Sequence, residues 1–145
     1  MLRKLTLFLC LVLLNTSLNA QLVINYSYEG NADTTKLNFA KTEFSKYLKV
    51  AIFNSRIHQN FFNIKLIKKG ATQNGSFSYT INSNGRLVNM ICVGEDEAAI
   101  GHAMYTILES VGFQFDITGV VVPTVFKTAI FKSDTQSIIP FTRWR

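Results

Sequence analysis

Acidic residues are the first candidates for chemistry, because Glu95, Asp96 and Glu97 stand side by side in the chain. Metal binding and acid/base catalysis both need carboxylate oxygens that converge on one point. Three consecutive residues at the start of a helix point in different directions, and a helix N-terminus favours negative charge without any ligand. Glu109 and Asp116 flank the other end of the same predicted helix, where solvation accounts for them. We therefore predict structural roles for these carboxylates.

The histidines and cysteines form no pattern of a metal site or a nucleophile. His58 and His102 are far apart in the chain, and neither has a His or Cys partner at ligand spacing. The motifs of serine hydrolases, phosphate-binding loops and zinc peptidases are absent from the sequence. Cys92 lies in an apolar run and is predicted to be a small buried side chain. We accordingly predict no cofactor and no metal, and we assign no catalytic residue.

Residues 1–20 have the features of an export signal. Arg3 and Lys4 precede an apolar run of about ten residues, and a small and polar stretch ends at Ala20, where we predict cleavage. The run is shorter than the ~20 residues that a membrane-spanning helix needs, so no membrane span is expected after cleavage. A lipoprotein cysteine at Cys10 is the weaker alternative, because the bulky Leu9 precedes it.

Cysteine content and charge predict the compartment of the mature chain and argue against a nucleic-acid partner. Cys92 alone would survive cleavage, so no intrachain disulfide is possible. An exported protein without disulfides fits a bacterial periplasm, cell surface or extracellular space. Removal of two basic residues leaves 13 basic and 9 acidic ones, a net charge of +4. We predict no nucleic-acid partner and a solvated basic face, because the lysines are spread over a helix and a strand: Lys36, Lys41, Lys46, Lys49, Lys65, Lys68 and Lys69.

Hydrophobic periodicity predicts a mixed α/β (α+β) sandwich, in which two helices pack on a mixed β-sheet that contains a β-hairpin. Asn84-Gly85 marks the hairpin turn, and the apolar return strand is predicted to be central and covered on both faces. Gly112 is placed to end the second helix. The predicted strands cover residues 22–28, 61–67, 77–81, 86–93, 113–115, 120–122 and 125–131, and the helices begin at 34 or 35 and at 95–97.

Aromatic side chains are the remaining candidates for ligand contact. They could stack on sugar rings if several were exposed on one face, but alternation along the strands places most of them inward. The residues concerned are Tyr26, Tyr28, Tyr79, Phe113, Phe115 and Trp144.

The stretch from Asn82 to Pro123 carries a resemblance to a known family. A hydrophobic strand ends in Gly94, a helix follows with Gly101, Tyr105, Leu108 and Glu109, and an aromatic strand begins after Val111-Gly112. This order resembles the amino-terminal α/β domain that precedes the barrel in bacterial α-glucuronidases, family-20 β-hexosaminidases and related polysaccharide-degrading enzymes. The family commonly has Tyr-Gly and Leu-Gly where this chain has Tyr105-Thr106 and Val111-Gly112.

The resemblance implies a non-catalytic accessory domain over residues 21–133, with 134–145 as the start of a linker into a catalytic (β/α)₈ barrel. In that family the chemistry lies in the barrel, which needs about 250 residues. The expected partners are therefore the barrel of the same parent protein and a polysaccharide, and Phe141, Arg143, Trp144 and Arg145 would form the barrel interface. A freestanding glycan-binding or envelope interaction module is the alternative.

Overall fold

The structure is a computed structural model that describes residues 21–70 and 76–140, with side chains as far as residue 137. The predicted signal peptide and the predicted interface residues Phe141, Arg143, Trp144 and Arg145 lie outside the described residues. The elements are, in chain order, β1 (Val23–Glu29), α1 (Thr34–Ser55), β2 (Phe61–Lys68), β3 (Ser76–Asn84), β4 (Leu87–Gly94), α2 (Glu97–Val111), β5 (Gln114–Asp116), β6 (Gly119–Val121), a 3₁₀ helix (Thr128–Phe131) and β7 (Thr135–Pro140).

A five-stranded mixed sheet organises the fold, with the strand order β1-β2-β4-β3-β7. β1, β2 and β4 run parallel, whereas β3 is antiparallel to both β4 and β7. Gly85, at φ 59°, is the first turn residue of the β3–β4 hairpin, a position at which a two-residue turn favours glycine. β5 and β6 form a separate two-stranded hairpin.

Both helices lie on one face of the sheet, and we call them together the helix layer. Asp33 accepts hydrogen bonds from the backbone N–H groups of Thr35 and Lys36 and so caps α1. Gly112 ends α2 at φ 120°, a left-handed conformation in which its N–H reaches the carbonyls of the last turn. The structure thus confirms the predicted α+β sandwich.

One hydrophobic core fills the space between the helix layer and the sheet. Burial alternates along β2, β3 and β4, so that every second side chain of each strand faces the helices. The largest fully buried side chains are Phe44, Phe62, Phe113, Phe131, Leu37, Leu48, Ile64, Leu66, Ile81, Met90, Ile100 and Met104.

The return strand β4 is central, as predicted, but the prediction that both of its faces are covered is wrong. Val88, Met90 and Cys92 are buried beneath the helix layer, while Ile91 and Val93 on the opposite face are half-buried. Their partial burial comes from cross-strand neighbours such as Ile67, which pairs with Val93. Within residues 21–70 and 76–140, no second layer covers this side of the sheet.

The last strand lies further along the chain than predicted. Val125 is exposed, and residues 128–131 form a 3₁₀ helix whose Phe131 packs edge-on against Phe62, with ring centroids 5.7 Å apart. The chain then enters the sheet as β7, which pairs with β3 from Thr135 opposite Ile81 to Pro140 opposite Ser76. The sheet therefore includes residues 135–140, which the sequence had assigned to a linker.

Candidate functional site

Two residues of the acidic cluster, Asp96 and Glu97, make structural hydrogen bonds at the start of α2. Asp96 accepts a hydrogen bond from the backbone N–H of Ala99 at 2.8 Å and caps the helix. Glu97 Oε1 accepts from the backbone N–H of Asp33 at 2.7 Å and from Lys68 Nζ at 2.9 Å. These donors, the backbone N–H first and Lys68 second, lower the pKa of Glu97 to about 2. The carboxylate therefore links the starts of both helices to β2, and the predicted structural role of Asp96 and Glu97 is confirmed.

Asp116, which follows α2, is also explained by local structure. Asp116 Oδ1 accepts from the backbone N–H groups of Thr118 at 2.6 Å and Gly119 at 3.1 Å. The hydrogen bonds from Thr118 are the main reason that the pKa of Asp116 lies below its usual value. Asp116 thus fixes the turn between β5 and β6, and Glu109 is exposed on the last turn of α2.

His102, His58 and Cys92 occupy three separate environments. The His102 ring stacks on Phe77, with centroids 6.1 Å apart and an interplanar angle of 21°. His58 is exposed between α1 and β2, and Cys92 is fully buried, which raises the pKa of its thiol to about 12. Among the described residues, no three His, Cys, Asp or Glu side chains are grouped so that they could hold a metal ion. No helix in the same part of the chain is long and apolar enough to cross a bilayer.

The aromatic residues weighed as a sugar platform lie mostly inside, as predicted. Tyr79 and Phe113 are buried, and Phe113 contacts Tyr47 with ring centroids 5.2 Å apart. Tyr26 is partly buried and its hydroxyl lies 2.8 Å from Ser45 Oγ; burial is the main cause that raises its pKa to about 12. Trp144 lies outside the described residues. Tyr28 and Phe115 are, like Tyr26, half-buried, and Phe115 packs edge-on against Tyr47. The five rings within the described residues therefore pack on or beside the core.

The predicted solvated basic face is correct for some lysines and wrong for others. Lys36, Lys46, Lys49 and Lys69 are exposed. Lys41 instead lies over the rings of Tyr26 and Tyr28, with its ammonium 5.3 and 5.2 Å from the two centroids. Lys65 pairs with Glu29 and its side chain is still 43% exposed, whereas Lys68 pairs with Glu97 and is 28% exposed. The basic residues are therefore distributed among ion pairs and ring contacts.

The outer surface of the helix layer carries apolar side chains in contact with solvent. Phe39 and Phe53 of α1 are 72% and 81% exposed. They are fourteen residues apart, which is close to four turns, so they share one face of the helix along with Val50. A groove of about 590 Å³ separates the helices beside Phe39 and is lined by Lys36, Phe39, Ala40, Asp96, Glu97, Ala98, Gly101, His102 and Tyr105.

The opposite side of the sheet, which we call the open face, carries a row of four asparagines across four strands. Strand register places Asn25 beside Asn63, Asn63 beside Asn89, and Asn89 beside Asn82. Asn25 Nδ2 donates to Asn63 Oδ1 at 3.2 Å, and Asn63 Nδ2 donates to Asn89 Oδ1 at 3.3 Å. We call these four residues the amide row; Asn25, Asn63 and Asn82 are exposed, and Asn89 is half-buried.

An apolar row runs beside the amide row on the open face. Val23, Phe61 and Leu87 are neighbours in register, two residues before Asn25, Asn63 and Asn89 on their strands. Phe61 is 44% exposed, and Val23 and Leu87 are half-buried. The only ion pair recorded on this face of the described residues joins Lys65 to Glu29.

Sequence reasoning missed both surfaces, for different reasons. The exposed phenylalanines of α1 were detectable, because Phe39 and Phe53 fall off the apolar stripe that contains Leu37 and Phe44. For the amide row, the sequence showed only that each of four strands has an asparagine at an outward position. Its alignment depends on strand order and register, which alternation does not supply.

Comparisons with known proteins do not assign this chain to a family. No protein-family model matches the sequence, and no curated protein matches it. The resemblance to the accessory domain of glycoside hydrolases is therefore an expectation that rests on the residues described above.

Proposed function

We propose that this chain is the non-catalytic amino-terminal domain of an exported, carbohydrate-degrading glycoside hydrolase of a bacterium. In this proposal its helix layer packs against the catalytic (β/α)₈ barrel of the same parent protein and stabilises it. The chain itself turns over no substrate. A polysaccharide is the second proposed partner, and it would contact the side of the sheet away from the helices.

The exposure of Phe39 and Phe53 is the observation that supports the proposal most. An isolated exposed apolar side chain is common on protein surfaces and calls for no explanation. Phe39 and Phe53 are 72% and 81% exposed on one face of a long helix, and Phe39 also lines the groove between the helices. Exposed apolar side chains in this arrangement suit a protein partner. Burying each ring in an interface would contribute about 1.5–3 kcal/mol.

Phe39 and Phe53 are not needed for the stability of the chain's own core, which supports a role in docking. The core beneath the helix layer is already filled by Leu37, Phe44, Leu48 and other apolar residues, so Phe39 and Phe53 contribute little to it. Ala40 and Gly101 both line the groove, and these small residues let the two helices approach closely at its base, since a Cβ atom at Gly101 would lie 3.7 Å from the Cβ of Ala40.

The test begins with the source locus, read in frame past the codon for Arg145. If an open reading frame for a barrel follows, the parent protein is expressed with Phe39→Ser and Phe53→Ser together. We expect the double variant to lower the thermal midpoint of the barrel and to leave the midpoint of the 145-residue chain nearly unchanged.

Ile117→Ser is the matched control, because Ile117 is a fully exposed apolar residue in the turn between β5 and β6. It should leave both midpoints unchanged. A stop codon directly after Arg145, or a parent protein whose barrel is unaffected by the double substitution, would refute the proposed docking.

A further inference from the structure

We infer that the open face of the sheet binds a neutral polysaccharide chain that lies across the strands, along the amide row and the apolar row. The inference rests on the polysaccharide partner proposed above, but it is independent of the docking of the helix layer, which involves the other side of the molecule. The site consists of Asn25, Asn63, Asn89, Asn82 and Phe61.

Hydrogen-bonding capacity is the first reason. A carboxamide offers two donors and a carbonyl oxygen with two acceptor positions. The contacts along the row use one donor of Asn25, one donor of Asn63 and the oxygens of Asn63 and Asn89. Since Asn25, Asn63 and Asn82 are exposed, the remaining donors and acceptors are available to a ligand. Sugar hydroxyls, which both donate and accept, match such a surface.

The repeat of the row is the second reason. Neighbouring strands in a sheet are about 4.8 Å apart, so four asparagines in register form a polar track about 14 Å long. The spacing between neighbouring asparagines is therefore close to the length of one pyranose ring in an extended glycan. Successive sugar residues would therefore meet equivalent amides, a correspondence that arises from the strand register.

The apolar row supplies the other half of the recognition. Residues two apart on a strand are about 7 Å apart, so Val23, Phe61 and Leu87 run parallel to the asparagines at roughly that distance. A pyranose ring has an apolar C–H face and a hydroxyl-bearing edge. The Phe61 ring, which is 44% exposed, can contact the C–H face while Asn63 contacts the hydroxyl-bearing edge.

Charge on this side indicates which glycans are favoured. Lys65 is already paired with Glu29, and its outward neighbours carry no charge: Ser27, Ser78, Thr80 and Gln136 are polar, and Ile67, Ile91 and Val93 are apolar. No cluster of cations is present on the described part of this face to attract a carboxylated or sulfated chain. A neutral polysaccharide is therefore expected to bind better than an anionic one.

The experiment is affinity electrophoresis of the purified full chain in native gels that contain xyloglucan, galactomannan or hydroxyethyl cellulose, with polygalacturonate as the anionic comparison. We expect at least one neutral polymer to retard the wild-type chain. Asn63→Asp places a charge in the centre of the amide row and should weaken binding about tenfold or more. Phe61→Ser tests the apolar row, and it should weaken binding also.

Asn38→Asp is the matched control, because it makes the same chemical change at an exposed position of α1. It should bind like the wild type, and thermal melts of every variant establish that the fold is retained. Equal retardation of wild type and Asn63→Asp, or no retardation by any neutral polymer, would overturn the inference. A wild-type dimer that becomes a monomer in Asn63→Asp, without glycan binding, would assign the open face to a second copy of this chain.

Failure of this test and failure of the proposed docking can be told apart. Asn63 and Phe61 lie on the open face, whereas Phe39 and Phe53 lie on the helix layer. Loss of glycan binding in Asn63→Asp with an unchanged barrel midpoint would support the glycan site alone.

Discussion

Glu97 shows how a single carboxylate can order three elements. It lies in the first turn of α2, where the helix dipole favours its charge, and it accepts hydrogen bonds from the backbone of Asp33 and from Lys68. Asp33 caps α1, and Lys68 ends β2. Loss of the Glu97 charge therefore weakens contacts between elements as well as the start of its own helix.

Replacement of Glu97 by Gln should lower the free energy of unfolding by about 1–2 kcal/mol near neutral pH, because charge-assisted hydrogen bonds become neutral ones. The folded pKa of Glu97, about 2, is depressed below the ordinary value of 4.5, so its contribution is present above pH 4.5 and disappears as the pH falls toward 2. Urea unfolding of both proteins across this pH range should show the difference shrinking. Glu95→Gln removes the same charge two residues away and serves as control, and a difference independent of pH would contradict the assignment.

Cys92 is expected to behave as a core residue and not as a reactive thiol. Its side chain is fully buried in β4, and burial raises the pKa of the thiol to about 12, so the thiolate needed for attack is scarce. In the chain that begins at Gln21, Cys92 is the one cysteine. Ellman's reagent should label this chain in native buffer only at the rate of unfolding and should label it rapidly in concentrated urea. Labelling of Cys92 within seconds in native buffer would contradict the buried position.

At the scale of elements, the junction between β4 and α2 allows very little space. A Cβ atom at Gly94 would lie 2.6 Å from the backbone nitrogen of Ile100 and 2.8 Å from the carbonyl carbon of Ala99. The first turn of the helix thus sits directly on the last residue of the strand. Glycine is required here by contact with backbone atoms, which cannot move aside as a flexible side chain can.

Gly94→Ala should therefore destabilise the fold by about 2 kcal/mol, whereas Gly101→Ala should be neutral or stabilising by up to about 1 kcal/mol. At Gly101 the nearest atom to the new methyl group would be the Cβ of Ala40, at an ordinary contact distance of 3.7 Å. Chemical denaturation of the two variants measures both effects. If the two substitutions had equal effects, the close packing of α2 on β4 would be incorrect.

The elements with strong local signals could be predicted from sequence, and those that depend on distant partners could not. The acidic run 95–97 before an apolar stripe and Gly112 after it were enough to bound α2. Asn84-Gly85 was enough to place the hairpin to within one residue, since the turn residues are Gly85 and Arg86. Residues 125–131 read as a strand because they are apolar, yet Phe131 is buried through a 3₁₀ turn against β2. β7 begins with Thr135, Gln136 and Ser137, whose polarity gives no strand pattern at the edge of a sheet.

On the scale of the whole molecule, the sheet separates two surfaces of different chemistry. The helix layer exposes two apolar rings, one of them at a groove, and the open face exposes neutral amides in register. Neither surface could be predicted from residue types, because each is created by packing. Phe39 becomes a surface residue only when α1 turns Leu37 and Phe44 to the core, and the amide row forms only when four strands align.

The position of β7 leads to a prediction about the limits of this fold. β7 is the edge strand beside β3, and its removal would leave the backbone groups of β3 unpaired and exposed for pairing with another chain. A chain that ends at Asp134 should therefore be less stable than one that ends at Pro140, and it should self-associate more readily in sedimentation experiments. Had residues 134–140 been a linker, as the sequence suggested, the two truncations would unfold at the same denaturant concentration. Equal midpoints for the two chains would remove β7 from the domain, whereas a lower midpoint for the shorter one would show that residues 135–140 belong to it.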